Sequence, residues 1–200
     1  DLPITTRLML DFAVAARQYW FFFLLAISGI IVGFTVYGRT EAGAMHLDKL
    51  KLRVPVFGDI ILKVAISRFA RTFGTLISSG VPVLRAMEIT SDTTGNLAVS
   101  SVIEKARTSV KEGEKISDPM LNSEYFPLMV TQMIAVGEET GRLDQMLIKV
   151  SDFYEAEVDA MLKGLASLIE PIMIVVLGVL VGFIAVSVIT PIYTLVNSVK

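Results

Sequence analysis

Two hundred residues with 53% hydrophobic content and a mean hydropathy of +0.64 are too apolar for an ordinary soluble domain, so part of the chain is expected in a membrane. The lack of cysteine excludes disulfides, thiolate chemistry and Cys-built zinc sites, and the single His46 cannot form a histidine cluster. A net charge of −2 offers no electrostatic basis for binding nucleic acid.

The chain opens at Asp1 without a charged–apolar–small leader pattern, and reads as a piece of a longer protein cut ahead of a span. Residues 1–17 are mixed and weakly amphipathic. Gln18 to Gly38 then holds no charge, with Tyr19-Trp20-Phe21-Phe22-Phe23 at one end and Tyr37 at the other. That length and those aromatic ends predict a transmembrane helix over 18–38. A buried helix of a soluble core is the competing reading, which the length and lack of charge disfavour. Arg39, Lys49, Lys51, Arg53 and Lys63 follow this span, against Arg7, Arg17 and Lys200 beyond the spans. The positive-inside rule places residues 39–170 in the cytoplasm and both ends outside.

Arg39 to Asp59 reads as a connector, punctuated by Gly43, Pro55 and Gly58, with Leu47, Leu50, Leu52, Val54 and Val56 along one side. From Ile60 the apolar residues Leu62, Ile66, Phe69, Phe73 and Leu76 step by four and three, the mark of a helix. Gly80 suits a left-handed stop and Pro82 the first turn of the next helix, which ends by Gly95. Asn96 can cap a third helix carrying Val99, Val102, Ile103, Ala106 and Val110 up to Gly113. Asp118-Pro119 predicts a short helical turn. A fourth helix carries Leu128, Met129, Met133 and Val136 into Gly137-Glu138-Glu139-Thr140-Gly141.

The last stretch organises the rest. Leu143, Leu147, Val150, Tyr154, Val158, Leu162, Leu165 and Ile169 form one helical stripe, and Pro171 to Val199 carries no charge. The pattern predicts a single helix from Leu143 to about Thr190, on the order of 70 Å long. It would pass from the polar region into a second span over 171–191, leaving a tail at 192–200. Pro171 bends this rod rather than breaking it, because its ring removes one backbone bond and meets the carbonyl of Ser167. No segment alternates like a strand. The fold class is all-α: two transmembrane helices flanking a cytoplasmic antiparallel helical bundle.

No catalytic constellation emerges. Gly137 to Arg142 lacks the order of a phosphate loop, and a lone histidine leaves no base for serine chemistry. Neither span holds Asp, Glu, His, Lys or Arg, which argues against an intramembrane protease, a proton relay or an ion-coupled transporter. The residues thus assign no enzyme activity, metal or cofactor, and His46 reads as a solvated connector residue. Gly29 with Gly33, and Gly178 with Gly182, bare one face of each span for close helix packing, within the chain or between copies. Gly80, Pro82, Gly137, Gly141 and Pro171 mark helix junctions. Glu138 and Glu139 have two readings, as carboxylates favouring the start of the long helix or as an acidic corner for a partner. Arg68 and Arg71 are a solvated helix face or a basic contact.

The run Arg68-Phe69-Ala70-Arg71-Thr72-Phe73-Gly74-Thr75-Leu76-Ile77-Ser78-Ser79-Gly80-Val81-Pro82 resembles the opening signature of the type II secretion F domain. Gly137-Glu138-Glu139-Thr140-Gly141-Arg142-Leu143 resembles its second signature and Ile169-Glu170-Pro171-Ile172 its third, in family order over essentially the whole chain. The resemblance implies the C-terminal half of a bacterial inner-membrane platform protein, with residues 39–170 as its cytoplasmic F domain and periplasmic ends. It implies a non-enzymatic, mechanical role: engaging a cytoplasmic assembly or retraction ATPase and driving pilins, alongside other machine components, membrane lipid and further copies of itself. Met133 to Gly141 and Pro191-Ile192-Tyr193 look more like the pilus branch than the secretion pseudopilus branch. A transporter subunit is a more distant alternative, disfavoured by the uncharged spans.

Overall fold

The computed structural model describes the backbone of residues 4–197 and the side chains from Arg17 to Ile189, Phe23 and Val188 aside. Among the described residues there are eight α-helices and no strand. They fall into two compact units, residues 37–163 and residues 1–36 with 164–200.

The unit 37–163 begins at the end of α1 (Ile4–Gly38) and contains α2 (Glu41–Arg53), α3 (Phe57–Ser78), α4 (Val83–Thr93), α5 (Leu97–Lys111), α6 (Ser117–Leu121), α7 (Leu128–Thr140) and the first turns of α8 (Leu143–Asn197). In this unit α3 packs on α4 and α4 on α5; α2 touches α3 and α5, and α6 links α5 to α7. The α4–α5 pair is antiparallel: the hydroxyls of Ser91 and Ser100 meet at 2.7 Å near the turn, and Glu88 reaches Arg107 at 3.6 Å farther along. On α3, α5 and α8 the core is the stripe that the periodicity predicts; on α7 the expected Leu128, Met129 and Val136 are exposed, and Val130 and Ile134 are buried in their place. Ile66, Phe69 and Phe73 from α3, Val99 and Ile103 from α5, Ile134 from α7, and Leu147 and Val150 from α8 are fully or almost fully buried. Phe126 sets its edge on Phe69 at 5.3 Å. Each such side chain stabilises the fold by about 1.5–3 kcal/mol relative to exposure.

Chain reversals follow local chemistry. Gly80 takes φ +81°, and the amides of Gly80 and Val81 donate back to the carbonyls of Ile77 and Leu76. This six-residue closure needs a left-handed residue that glycine adopts without strain. Pro82 stands one position before α4, whose first turn donates to its carbonyl. Asn96 caps α5 as its type predicts, its side-chain oxygen accepting from Ala98 and Val99.

Three further sequence expectations are revised. The connector from Arg39 holds helix α2, because Thr40 caps it by accepting from the Gly43 amide and Gly43 packs where a Cβ would collide with the Tyr37 carbonyl. Gly43 is there for closeness, not for a break. The α3 helix starts at Phe57 instead of Ile60. Finally, Glu138 and Glu139 lie in the last turn of α7 and not at the start of α8.

The unit of residues 1–36 and 164–200 is built from α1 and α8. Two helical stretches are long and apolar enough to cross a membrane, Arg17–Gly38 and Leu143–Ser187, and none of the apolar window of either is buried. Side chains such as Ile30, Phe34, Ile174 and Val179 are open all round, as in a helix built to face lipid. Three hydroxyls in these helices are satisfied by their own backbone: Ser28 donates to the Leu25 carbonyl, Thr35 to Val32 and Ser167 to Gly164, whereas Ser187 has no partner among the described residues. Helix α8 runs from Leu143 to Asn197 through Pro171 without a helical gap. Residues 1–3 and 198–200 of the expected terminal segments lie outside the described residues.

Candidate functional site

Two features of the unit 37–163 hold the first turns of α8, and both contain residues the sequence singles out. One is the seam between α3 and α8. Along α3 the partners run Lys63, Arg71, Gly74; along α8 they run backwards, Glu157, Glu155 with Asp152, then Leu147. The helices are therefore antiparallel. They approach closest at Gly74, where a Cβ would lie 3.0 Å from the Leu147 Cβ and 3.3 Å from the Asp144 carbonyl.

Arg71 closes the seam with a forked grip. Its Nε donates to Glu155 Oε1 at 3.1 Å, and its Nη2 donates to Glu155 Oε2 at 2.8 Å and to Asp152 Oδ1 at 2.6 Å. Ser151 and Ser67 also donate to Glu155 Oε1, at 3.1 and 3.4 Å. Glu155 is held below the usual carboxylate range, chiefly by the Arg71 hydrogen bonds, while Arg71 is held above its ordinary value by Glu155 and then Asp152. Lys63 spans Glu157 at 2.7 Å and Asp59 at 3.2 Å; its pKa is raised, first by the Glu157 hydrogen bond.

Arg68 behaves differently. It is exposed, one guanidinium nitrogen lies against Gly95 where a Cβ would come within 2.6 Å, and it forms no ion pair among the described residues. A groove of about 400 Å³ between α3 and α8 separates it from Asp159 and Glu155. Sequence reading treats the two arginines alike; the fold makes one a clamp and leaves the other free.

The second feature is the α7–α8 corner. Gly141 takes φ +68°, and the amides of Gly141 and Arg142 both return to the Gly137 carbonyl. Gly137 is buried, and a Cβ on it would sit 2.8 Å from the Leu143 Cα, so α8 can begin directly over α7. Beside it, Glu138 accepts from the backbone amides of Ile116 at 2.6 Å and Ser117 at 3.1 Å. Glu139 pairs with Lys115 at 2.8 Å, which holds its carboxyl below the usual range. The start of α6 thus receives its anion from another helix, since Ile116 has no side-chain cap to offer. Asp118-Pro119 lies within the first turn of α6 and does not supply that cap.

The remaining singled-out residues are dispersed. Pro171 lies inside α8. No described atom comes within 4 Å of a Cβ built on Gly29, Gly33, Gly178 or Gly182, so those faces are open among the described residues. His46 accepts or donates at 3.2 Å with the Tyr37 hydroxyl. Sequence reading missed Gly74, and it takes Asp152 and Glu155, with Glu157 and Asp159, for a solvated acidic face of the long helix, where the fold sets the first two on Arg71. An isolated glycine inside the α3 pattern was the available signal for a close approach.

An all-α chain with two membrane-length apolar helices, and a bundle that grips the base of one of them, defines a membrane-embedded scaffold class. The chain belongs to the family described as Type II secretion system (T2SS), protein F, whose model matches residues 69–191. It is 41% identical over its full length to a type IV pilus assembly protein PilC of Myxococcus xanthus, covering 48% of that protein. It is 38% identical, again over its full length, to the PilC of Thermus thermophilus, covering 50%. With a type II secretion system protein F of Xanthomonas campestris it shares 35% identity over 99% of the chain and 49% of that protein. The chain spans about half the length of these curated relatives.

Proposed function

We propose that this chain is part of the inner-membrane platform of a type IV pilus machine, with residues 39–170 in the cytoplasm and both ends outside. There it passes movement from a cytoplasmic hexameric ATPase to pilins. The carrying observation is that α8 is one helix whose first turns are clamped at the seam and the corner and whose later turns are uncharged and apolar. Force received by the bundle therefore enters a helix that has no non-helical break before the apolar turns. Identities of 41% and 38% to pilus assembly proteins against 35% to a secretion protein favour the pilus reading over the pseudopilus one. The role is mechanical and not enzymatic. Arg68, Glu139 and the open glycine faces are the contact candidates, the last for a second copy.

The test replaces the matching half of the Myxococcus xanthus relative with this chain in cells lacking that protein. Filaments should be restored, and should be lost when a Gly-Gly-Pro-Gly insert breaks α8 after Lys163, with membrane levels unchanged. Filaments persisting across the break would sink the rod reading. Orientation is read separately from single cysteines at Thr5, Ser109 and Ser198, since the chain has none of its own. A membrane-impermeant reagent should label positions 5 and 198 and spare 109.

A further inference from the structure

Helix α2 and the turn that follows it expose side chains the bundle does not use. Leu50 is 60% exposed, Val54 41%, Val56 53% and Phe57 59%, adjacent to one another across the α2–α3 turn. Lys49 and Arg53 are exposed on the same stretch and form no ion pair among the described residues, and Arg39 is exposed just ahead of it. The backbone is strained here as well. Val56 takes φ 69°, ψ −55°, with the Phe57 amide donating to the Pro55 carbonyl at 2.9 Å. That is a γ-turn of the costly hand, on a β-branched residue, and it serves to hold Val56 and Phe57 outward.

The helix is also tied to the end of α1. The Thr40 hydroxyl donates to the Tyr37 carbonyl at 2.8 Å, its oxygen caps α2, and Tyr37 meets His46. At 1.5 Å per residue α2 is about 20 Å long, and it is the one helix between the patch and Gly38, where the apolar stretch of α1 stops. Apolar side chains interleaved with unpaired cations, tethered to a membrane-length helix, have the chemistry of a bilayer interface: acyl chains for the former, anionic headgroups for the latter.

We infer that Leu50, Val54, Val56 and Phe57, with Lys49 and Arg53, form an interfacial anchor that docks the α2–α3 turn onto the anionic leaflet of the same membrane. This rests on the reading that α1 crosses a bilayer. The test reconstitutes the full chain in phosphatidylcholine vesicles with and without phosphatidylglycerol. A polarity-sensitive dye is placed on single cysteines replacing Leu50, Phe57, Leu128 or Ile30, and quenching by lipid-borne spin labels is measured. Helical content by circular dichroism confirms folding. Dyes at 50 and 57 should be quenched several-fold more than at 128, more so with phosphatidylglycerol. Lys49→Glu with Arg53→Glu should abolish the phosphatidylglycerol increment at 57. Quenching at 50 and 57 equal to that at 128 overturns the anchor, as does a blue-shifted but unquenched dye, which would mean a protein covers the patch. Quenching insensitive to the charge reversal overturns the anionic-headgroup part. An unquenched dye at position 30 removes the membrane reading itself, and the anchor with it.

Discussion

The turns at Ser79–Pro82 and Gly137–Arg142 end α3 and α7 with a left-handed glycine and the same six-residue hydrogen bond, yet they are different objects. At the first, glycine is needed for its dihedral angle alone: a Cβ on Gly80 would meet nothing within 4 Å. At the second the work is divided. Gly141 supplies the left-handed angle in open space, while Gly137 supplies room beneath Leu143, and Glu138 ties the same turn to α6. The first turn only redirects the chain. The second fixes where a neighbouring helix starts, so displacing it displaces α8.

That contrast is sharpest at Gly137. Gly137→Ala should cost about 3 kcal/mol, the upper end for overpacking, because the obstruction is backbone and cannot rotate away. Thermal unfolding of the detergent-solubilised chain measures it, and a loss no larger than that of Gly80→Ala would erase the distinction. Glu138→Ala comes next, at about 2 kcal/mol, since it strips the acceptor from two buried amides. Glu138→Gln, with one acceptor oxygen left, should recover part of the loss; full recovery would mean that neither the charge nor the second acceptor oxygen contributes. Gly80→Ala and Gly141→Ala should each cost about 1 kcal/mol, the ordinary cost of a left-handed alanine, and should match one another. A clear inequality between them would show that the second corner also strains its stop residue.

The smallest effect concerns the seam. Glu155 is more acidic when folded than when unfolded, so its pairing stabilises the fold above the ordinary carboxylate pKa and fades as pH falls through its lowered value. Because Arg71, Asp152 and Glu155 are all partly exposed, Arg71→Ala should cost only about 0–1 kcal/mol at neutral pH. It should also flatten the acid limb of the stability curve. An unchanged acid limb in the variant would assign that limb to other carboxylates.

Much of this was legible in the sequence, and the misses share a cause. Periodicity alone marked Ile66, Phe69, Phe73, Leu147 and Val150 as core, and residue chemistry marked Gly80 and Asn96 as stop and cap. What stayed hidden were roles set by partners distant along the chain. Glu138 looked like a helix-start charge because its two amides lie 21 and 22 residues away. Arg71 could not be told from Arg68 because its carboxylates are 81 and 84 residues downstream. Gly43 read as punctuation since nothing local shows that the Tyr37 carbonyl fills the space of its missing Cβ.

The antiparallel α3–α8 seam also carries a consequence for biosynthesis. Lys63 and Met161, which touch at 3.6 Å, are 98 residues apart, whereas α4 and α5 meet across a short turn. Short-range pairs form as soon as they are made, but the side of α3 that faces α8 stays uncovered until α8 arrives. At about 5–20 residues per second, Phe69 and Phe73 wait several seconds for Leu147 and Val150. Nascent chains stalled before residue 143 should therefore be cut readily within α3 by added protease, and chains stalled well past residue 163 should resist. The segment that seals the bundle is the leading part of the next apolar helix, so completion of the bundle and emergence of that apolar helix fall in one interval of synthesis.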